Sequence, residues 1–326
     1  MKARVLSGMQ PSGRLHLGNL SGALSNWTKL QETYEGYFFV ADWHALSTNY
    51  SDTTQIKELT REMVADWLSA GLDPNKATIF IQSDLPDHAV LHVLLSMITP
   101  IPWLERIPTY KEQQEQLENR DLSTYGFLGY PILQTADVLI YNADFVPVGI
   151  DQSPHVELTR AIARRFNALY KPIFKEPQTL LTETPKLPGT DGRKMSKSYN
   201  NAIYLSDSEK TLREKLRTMV TDPARKRRTD PGNPAICPVF DLHKVYSNTP
   251  TITQVNSECL TAKIGCIDCK RFLADTLVTQ LNPVWEEGCA IRKSPTIIDD
   301  VIQEGARRAR ITAKSTIQKV REAIGI

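Results

Sequence analysis

The sequence contains no uninterrupted apolar run that approaches the roughly 18 residues of a membrane-spanning helix. Gly8 and Pro11 interrupt the N-terminus before the apolar stretch of a signal peptide could develop. Charge of one sign is not in excess either, because 39 Lys and Arg stand against 37 Asp and Glu in 326 residues. Internal repeats and low-complexity segments are also missing. These absences disfavour membrane insertion, secretion and a generic polycation, and they predict a cytoplasmic globular protein with room for two domains.

Cysteine is scarce, yet four of the five cysteines lie close together in the sequence. They are Cys237, Cys259, Cys266 and Cys269, separated by 21, 6 and 2 residues, whereas Cys289 stands apart and is predicted to be a free thiol. In a cytoplasmic chain such a cluster favours a metal site over disulfide bonds. Four thiolates suit structural Zn2+ or an iron–sulfur cluster, and unligated thiols are a third alternative. Zinc ribbons usually have two CxxC pairs, and this chain has one.

The first half of the chain alternates short apolar runs with amphipathic stretches, which is typical of a parallel sheet flanked by helices. The predicted strands cover residues 4–7, 37–41, 78–82 and 138–141. A helix capped by Asp52 and ended by Gly71 is predicted between the second and third strands, and another helix over residues 154–169. We therefore predict an α/β fold in which residues 1–200 form a Rossmann-like, nucleotide-binding domain.

The second half is predicted to be helical on both sides of an irregular, locally basic stretch. That stretch contains Arg225, Lys226, Arg227 and Arg228. A last helix follows Pro295. We expect residues 201–290 to form an all-helical domain that includes the four clustered cysteines, and residues 291–326 to form a C-terminal helix that packs back on the first domain.

A glycine-containing segment follows the first predicted strand directly and has the sequence GMQPSGRLHLGN over residues 8–19. Glycines at a strand-to-helix turn let the backbone approach a ligand closely, and the following helix N-terminus offers unpaired N–H groups to phosphate. His16 could donate a hydrogen bond to a phosphate oxygen, and Gly18 leaves room for an adenine or a ribose. On its own this segment fits an ordinary tight turn equally well.

A second segment, KMSKS over residues 194–198, ends a loop rich in proline, glycine and threonine. Its two lysines could neutralise negative charge on the α-phosphate of ATP and on departing pyrophosphate. Because the lysines lie on a loop, movement of the loop could bring their charge to the site when ATP binds. A solvated basic turn would account for two lysines, but it would not account for this pentapeptide.

These two segments resemble the signature motifs of class I aminoacyl-tRNA synthetases, with HLGN in place of HIGH and KMSKS as the second signature. Three longer segments are similar to tryptophanyl-tRNA synthetases of the bacterial type: SGMQPSGRLHLGN, GYPILQTADVLIYNADFVPVGIDQSPHVELTRAIARRFN and LPGTDGRKMSKSYNN. The resemblance covers essentially the whole chain, and Asn19 replaces the last His of the first motif. It implies that Mg·ATP activates tryptophan to tryptophanyl-adenylate, with release of pyrophosphate, and that tryptophan then passes to the 3′ end of tRNA(Trp).

The resemblance implies catalysis by positioning and charge stabilisation, without a protein nucleophile. Its catalytic residues fall on His16, Lys194 and Lys197, and Lys111 is a weaker candidate for contact with phosphate. The residues implied to bind ATP are Gln10, Ser12, His16, Gly18, Asn19, Gly149, Asp151, Lys194, Met195, Ser196, Lys197 and Ser198.

For tryptophan, the resemblance implies an apolar pocket with one acceptor for the indole N–H, and this acceptor falls on Asp137. An indole donor left unpaired in a pocket would cost about 1–3 kcal/mol, so one acceptor discriminates well. Without the resemblance, Asp137 would be interpreted as a capping or salt-bridging residue. The residues implied to surround tryptophan are Leu6, Gly8, His44, Tyr130, Gln134, Asp137, Val146, Val148 and Gln152, among which Tyr130 and Gln152 are expected at the α-amino group.

The resemblance also bears on the second half of the chain. A subset of tryptophanyl-tRNA synthetases carries a [4Fe-4S] cluster on four cysteines with similar spacing, which favours that cluster over structural Zn2+. The helical domain is implied to hold the tRNA anticodon, with the four basic residues from Arg225 to Arg228 as contacts to phosphate. A homodimer is expected as well.

Other functions share these motifs. A tyrosyl-tRNA synthetase would be expected to carry a further C-terminal RNA-binding domain. Small nucleotidyltransferases with HIGH-type motifs are usually shorter and lack the helical half. A diverged homologue that only binds RNA would be expected to have a damaged KMSKS segment, and here the segment is intact.

Overall fold

A computed structural model describes residues 2–108, 123–181 and 186–326, and the side chain of Asp151 lies outside what it describes. A parallel sheet has the strand order β3-β2-β1-β4-β5. Its strands are β1 (Arg4–Met9), β2 (Glu35–Val40), β3 (Ala77–Ile81), β4 (Phe145–Val148) and β5 (Gln178–Leu181). Within the described ranges, no helix is both long enough and apolar enough to cross a membrane.

Helices surround this sheet and continue beyond it. The helices of the described ranges are α1 (Leu17–Asn19), α2 (Ser25–Thr33), α3 (Asp42–Asn49), α4 (Ile56–Ser69), α5 (Asp87–Ser96), α6 (Ile101–Glu105), α7 (Tyr125–Ile140), α8 (Ser153–Leu169), α9 (Glu209–Thr218), α10 (Pro238–Tyr246), α11 (Thr249–Leu260), α12 (Cys266–Lys293) and α13 (Pro295–Ile324). A π-helical turn (Leu20–Leu24) connects α1 to α2 without a break. The α/β fold class with a helical C-terminal half is therefore confirmed.

Three of the predicted strands are confirmed as β1, β2 and β3, whereas the fourth prediction is wrong. Residues 138–141 belong to the end of α7 and the turn after it, and β4 follows instead. Val138, Leu139 and Ile140 are at most 3% exposed. A helix that is buried on all sides has no polar face, so periodicity cannot distinguish a short apolar run within it from a strand.

The predicted helix between β2 and β3 is confirmed as α4, but its predicted cap is wrong. Gly71 follows the helix with a φ of +97°, as expected of a glycine beyond a helix end. The Asp52 carboxylate instead accepts hydrogen bonds from the backbone and hydroxyl of Thr54, at 3.2 and 2.7 Å. This local turn competes with capping, and the helix begins only at Ile56.

Consecutive residues of β2 form the core on opposite faces of the sheet. Phe38 stacks on Trp27, with ring centroids 4.8 Å apart, and Trp67 packs edge-on against the same indole at 5.0 Å. Phe39 points to the other face and stacks on Phe80 at 5.5 Å. The alternation follows from the two-residue period of a strand and explains why both faces need helices to cover them.

The last helix, α13, returns to the sheet and contacts β3. A Cβ atom on Gly305 would lie 1.7 Å from the carbonyl oxygen of Ile79, so only glycine permits this approach. The Arg308 guanidinium donates to the carbonyl oxygens of Pro74 and Ala77 at 2.6 and 3.0 Å, which fixes the helix beside the strand.

Candidate active site

A cavity of about 390 Å³ opens at the carboxyl ends of β1 and β4. Ligands of open parallel sheets bind at this edge, where the loops after the strands diverge. The structure brings together here every residue that the sequence assigned to the tryptophan pocket: Leu6, Gly8, His44, Tyr130, Gln134, Asp137, Val146, Val148 and Gln152. Gln10, which was assigned to ATP, lines the same cavity, as does His155, which was not predicted.

Gly8 forms part of the cavity floor, at the point where β1 passes β2. A Cβ atom at this position would lie 2.5 Å from the ring of Phe39. Any side chain would therefore displace that ring, which is buried and stacked on Phe80. The glycine is required here because the Phe39 ring packs against this position, rather than for an unusual φ angle.

Asp137 lies on α7 at the base of the cavity and is 1% exposed. Its carboxylate accepts hydrogen bonds from His44 Nε2 at 2.8 Å, from His88 Nδ1 at 2.6 Å and from Gln82 Nε2 at 2.8 and 3.0 Å. Burial raises the pKa of Asp137, but the hydrogen bonds from His44 and His88 outweigh it, and the pKa lies below its ordinary value. The cavity thus has an ionised hydrogen-bond acceptor at its base.

Two of the residues that hold Asp137 were missed by the sequence analysis. Gln82 and His88 are fully buried and do not line the cavity. Gln82 follows the last residue of β3 directly. Polar side chains at the carboxyl ends of parallel strands point toward the site, so this position was the available signal.

The segment of residues 8–19 connects β1 to the helical run that starts with α1. Gly13 has a φ of +132°, which L side chains rarely adopt. His16 caps α1. Its ring Nδ1 accepts a hydrogen bond from the Gly18 N–H at 3.1 Å, and its backbone N–H donates to Asn19 Oδ1 at 3.0 Å. A Cβ atom on Gly18 would lie 2.9 Å from the His16 ring, so glycine makes room for the imidazole.

The charge state of His16 follows from its surroundings. Burial and the nearby positive charges of Lys197 and Lys194 lower its pKa to about 4. The imidazole is therefore neutral at pH 7, and because Nδ1 accepts the Gly18 N–H, the proton resides on Nε2. The Nε2–H group is the donor that this side chain can offer to an anion.

The KMSKS segment contacts the glycine turn directly. Lys197 Nζ donates to the Gly13 carbonyl oxygen at 2.8 Å and lies 3.4 Å from Ser12 Oγ. Burial lowers the pKa of Lys197 to about 8, against the opposing effect of Asp66. Lys194 is exposed, and its backbone bridges to Pro188. The two signature motifs thus meet at residues 12–13.

Asn201 fixes the shape of the KMSKS segment and was not assigned a role from the sequence. It is 1% exposed, accepts the Ser196 N–H at 2.8 Å, and donates to Asp191 and to the Lys194 carbonyl at 2.7 and 3.2 Å. Met195 is buried, and the Ser196 and Ser198 hydroxyls are 2.9 Å apart. A side chain buried within a loop in this way holds the backbone of that loop in one arrangement.

The structure describes only some of the remaining residues that were predicted to contact ATP. Gly149 precedes the 3-10 turn Ile150–Gln152, beside the cavity wall formed by Val148. Lys111 and the Asp151 side chain lie outside what the structure describes.

The four clustered cysteines approach one another between α10, α11 and α12. Burial, together with the neighbouring thiols of Cys237, Cys259 and Cys266, raises the pKa of Cys269 to about 12. In residues 2–108, 123–181 and 186–326, however, no group of three or more His, Cys, Asp or Glu side chains is arranged to hold a metal ion. The metal prediction therefore stays a prediction.

The four basic residues next to these cysteines differ in their exposure to solvent. Arg225 turns inward: its guanidinium donates to the carbonyl oxygens of Ile264 and Arg228 at 2.6 and 3.0 Å and lies 3.7 Å from Cys259 Sγ. Lys226, Arg227 and Arg228 are exposed. Only these last three present their charge to solvent, where a nucleic acid could meet it.

Comparisons with known proteins identify the family of this chain. Residues 1–282 match the family described as tRNA synthetases class I (W and Y). The chain is 53% identical to the tryptophan–tRNA ligase of Thermotoga maritima, over 99% of both chains, and 44% identical to that of Ralstonia nicotianae, over 99% of this chain and 98% of the relative. The structure is similar to tryptophanyl-tRNA synthetase from Campylobacter jejuni complexed with ADP and tryptophan, with a TM-score of 0.90 and 33% identity over 99% of this chain and 100% of that one.

The sequence matches and the structural match thus extend over nearly the entire chain, and the cavity, the glycine turn and the KMSKS segment occupy one edge of its sheet. The chain belongs to the class I tRNA synthetases for tryptophan and tyrosine, and within them to the bacterial-type tryptophan–tRNA ligases.

Proposed function

We propose that the cavity with Asp137 at its base binds the tryptophan side chain, and that Asp137 accepts a hydrogen bond from the indole N–H. The observation that carries this assignment is an ionised carboxylate, nearly inaccessible to solvent, at the base of a cavity with both apolar and polar walls. A carboxylate offers about four lone-pair positions. His44 and His88 each use one, and Gln82 contacts both oxygens, so the indole N–H is proposed to share an oxygen with one of these donors.

Selectivity follows from this acceptor and from the cavity walls. Phenylalanine has no side-chain donor and would lack the hydrogen bond to Asp137 that the indole N–H makes, at a cost of about 1–3 kcal/mol. The walls Leu6, Val146 and Val148 are apolar and suit the faces of an indole. Tyr130 and Gln152 line the same cavity and are proposed to meet the α-amino group. Tyrosine therefore has to be rejected by the shape of the cavity, because a phenol O–H is also a donor.

ATP is proposed to bind across the two signature motifs. His16 would donate from Nε2 to a phosphate oxygen, and Lys194 and Lys197 would neutralise charge on the α-phosphate and on the departing pyrophosphate. The residues Gln10, Ser12, Gly18, Asn19, Gly149, Asp151, Met195, Ser196 and Ser198 complete the proposed nucleotide site. Mg2+ is expected to arrive with ATP. Lys197 contacts the Gly13 carbonyl oxygen beside this site, which supports a short movement for this lysine when ATP binds.

The reaction then needs no protein nucleophile. The tryptophan carboxylate attacks the α-phosphorus, the bond from that phosphorus to the bridging oxygen breaks, and pyrophosphate leaves with the electron pair. In the second step a terminal hydroxyl of the tRNA attacks the adenylate carbonyl, and AMP leaves. Holding the two reactants in line and stabilising the developing charge can supply most of the acceleration.

Pyrophosphate exchange tests the pocket assignment. Exchange driven by tryptophan, and not by tyrosine or phenylalanine, is expected of the unmodified protein. D137N should lower kcat/KM for tryptophan about ten- to a hundredfold while KM for ATP changes little, because a charged hydrogen bond is worth about 1.5–3 kcal/mol. The matched control is D222N: Asp222 is also buried, but it accepts from the backbone N–H groups of Ala224 and Asn233, outside the cavity. Equal losses in both variants would refute the assignment.

The helical region is proposed to bind the anticodon arm of tRNA(Trp), with residues 201–290 as the anticodon-binding domain and residues 291–326 as the returning helix. Cys237, Cys259, Cys266 and Cys269 are proposed to hold a [4Fe-4S] cluster, with structural Zn2+ as the alternative. The pKa of Cys269 is raised by each of the other three thiols, which supports a site shared by all four. Iron, sulfide and zinc analysis of anaerobically purified protein, with C266S as the control, decides between them.

Two further proposals follow from the activity rather than from this site. We expect the ligase to act as a homodimer in the cytoplasm, where its tRNA is charged. Sedimentation equilibrium over a range of protein concentrations tests the dimer directly.

A further inference from the structure

One wall of the cavity around Asp137 combines polar side chains from two helices. Tyr130 belongs to α7, Gln152 ends the 3-10 turn that leads into α8, and His155 lies in the first turn of α8. Gln152 and His155 are three positions apart, so their side chains face the same side of a helical turn. Tyr130 and Gln152 are proposed to meet the α-amino group of tryptophan, whereas His155 has no role in that proposal.

His155 contacts the hydroxyl group of Tyr130. Its Nε2 lies 3.3 Å from the phenol oxygen, and the two ring centroids are 5.5 Å apart with the ring planes inclined at 46°. The histidine is 3% exposed although it lines the cavity. A buried ring nitrogen that faces a hydroxyl group pairs with it, because a hydrogen bond left unmade there costs free energy. The bond runs either from the phenol to the imidazole or from the imidazole to the phenol.

The Tyr130 ring itself is held by aromatic neighbours. Its centroid lies 5.7 Å from that of Phe127, and the His44 ring packs edge-on against it at 6.5 Å. The position of the phenol oxygen therefore follows from packing. The direction of the O–H bond does not, because a hydroxyl hydrogen rotates toward the acceptor that is available.

The chemistry of the α-amino group decides the direction of the bond between Tyr130 and His155. Tryptophan carries this group as an ammonium ion at neutral pH, and an ammonium ion offers donors and no acceptor. A phenol has one proton and two lone pairs, so it can receive the ammonium ion only through its oxygen. A phenol proton that pointed into the cavity would meet another donor. An unprotonated Nε2 on His155 removes this conflict, because it accepts the phenol proton and leaves the oxygen free to accept from the ligand.

A second hydrogen bond holds the same two helices together about one turn further along. The Thr135 hydroxyl on α7 and the Thr159 hydroxyl on α8 are 3.1 Å apart, and both residues are at most 1% exposed. The spacing of α7 and α8 thus does not depend on the His155 imidazole alone. This arrangement favours an effect of His155 on the Tyr130 hydroxyl over a general structural role.

We propose that His155 is a positioning residue for tryptophan, whose Nε2 accepts the Tyr130 O–H and thereby presents the phenol oxygen to the α-ammonium group. This inference rests on the proposed placement of the α-amino group at Tyr130. It assigns His155 no contact with tryptophan, because the imidazole acts through the phenol. Its replacement should therefore weaken the binding of ligands that carry the ammonium group and spare those that lack it.

Calorimetric titration with tryptophan and with indole-3-propionate, which lacks only the α-ammonium group, tests this proposal. The selectivity ratio is the Kd for indole-3-propionate divided by the Kd for tryptophan. H155L should lower this ratio about tenfold by raising the Kd for tryptophan, and leave the Kd for indole-3-propionate within about twofold. H155F keeps a planar ring without an acceptor and should behave like H155L, whereas H155Q keeps an acceptor oxygen and should retain most of the ratio. Equal increases in both dissociation constants would indicate a general structural role and overturn the proposal.

A double-mutant cycle with Y130F shows whether His155 acts through the phenol. Y130F should lower the selectivity ratio by itself, and Y130F/H155L should lower it no further, because the hydroxyl that His155 orients is absent. Removal of both hydrogen-bonding partners can be nearly neutral for stability, so the double variant is expected to fold. A further loss in the double variant, as large as that of H155L alone, would contradict the proposal.

The same cycle separates this inference from the proposed function. If Y130F leaves the selectivity ratio unchanged, the placement of the α-amino group at Tyr130 is wrong, and the role of His155 is refuted with it. If Y130F lowers the ratio and H155L does not, only the role of His155 is refuted.

The matched control is H92L. His92 on α5 also faces a tyrosine of α7, with its Nε2 3.5 Å from the Tyr125 hydroxyl, but neither residue is among the described residues that line the cavity around Asp137. Both dissociation constants of H92L should stay within about twofold of the unmodified protein. A decrease in the selectivity ratio as large as that of H155L would show that the effect does not depend on the contact with Tyr130, and would overturn the proposal.

Discussion

His88 lies between Asp137 and Tyr141, with its Nδ1 2.6 Å from the carboxylate and its Nε2 2.8 Å from the tyrosine hydroxyl. The pKa of Tyr141 is raised well above its ordinary value, chiefly by burial, so the phenol keeps its proton. The ionised Asp137 accepts the hydrogen bond from Nδ1–H of His88, and Nε2 of the same ring faces the Tyr141 hydroxyl. A fully buried network of three side chains thus supports the negative charge of Asp137 at the base of the cavity.

Replacing His88 should weaken both this hydrogen-bond network and the selection of tryptophan. H88L leaves Asp137 without one donor and Tyr141 without its acceptor, so the free energy of unfolding should fall by about 2–5 kcal/mol. H88N keeps an N–H group near the Nδ1 position and should lose less. Chemical unfolding measures the first effect, and KM for tryptophan in pyrophosphate exchange, expected to rise in both variants, measures the second.

Q31L is the control for this experiment. Gln31 is also buried and hydrogen-bonded, to the Gly71 carbonyl and to the Asp73 N–H, but it lies away from the cavity. It should lose stability without a change in KM for tryptophan. If H88L and Q31L affect KM equally, His88 has only a structural role.

Gly8 leads to a prediction about cavity shape. G8A places a methyl group against the Phe39 ring, at a distance that real Cβ atoms do not show, so the ring or the strand must move. KM for tryptophan should rise at least severalfold, and unfolding free energy should fall by about 1–3 kcal/mol. G126A is the comparison, because a Cβ atom on Gly126 meets only Thr124 Oγ1, at 4.0 Å, and alanine favours a helix by about 0.5–1 kcal/mol. A G8A variant with normal KM would show that the ring moves freely.

The lowered pKa of Lys197 predicts that activity decreases at alkaline pH. In the free enzyme the ammonium loses its proton as the pH rises through about 8, more than two units before an ordinary lysine. kcat/KM for ATP, which reports the free enzyme, should therefore decline above this pH. In K197R the guanidinium stays charged, so the alkaline decline should disappear even though the absolute rate is lower. K194R should retain the decline, and its loss there would assign the effect to the other lysine.

The sequence was sufficient for the parts of this site that carry a local pattern. Apolar runs located β1, β2 and β3, and the two signature segments identified residues that the fold brings within hydrogen-bonding distance, as Lys197 and Gly13 show. Residues that act through burial left no such pattern. Gln82, His88 and Asn201 are polar side chains whose partners lie 5 to 55 positions away in the chain, and only the fold brings them together. Asp66 is a further case, because it is 5% exposed and pairs with Arg292, 226 positions away, whereas a carboxylate on a helix is ordinarily solvated.

The basic stretch beside the cysteines is expected to show two different roles when its residues are exchanged. K226Q, R227Q and R228Q together should weaken tRNA binding and reduce the dependence of log affinity on log salt by roughly one unit for each phosphate that is no longer neutralised, with melting unchanged. R225Q should lower the melting temperature and leave the salt dependence unchanged. The Arg225 guanidinium donates to the Ile264 and Arg228 carbonyl oxygens and lies beside Cys259, so its loss should affect stability instead of RNA binding. Filter binding from about 50 to 200 mM salt and thermal unfolding distinguish these roles. A lower salt slope for R225Q alone would mean that this arginine leaves the Ile264 and Arg228 carbonyl oxygens to contact the RNA.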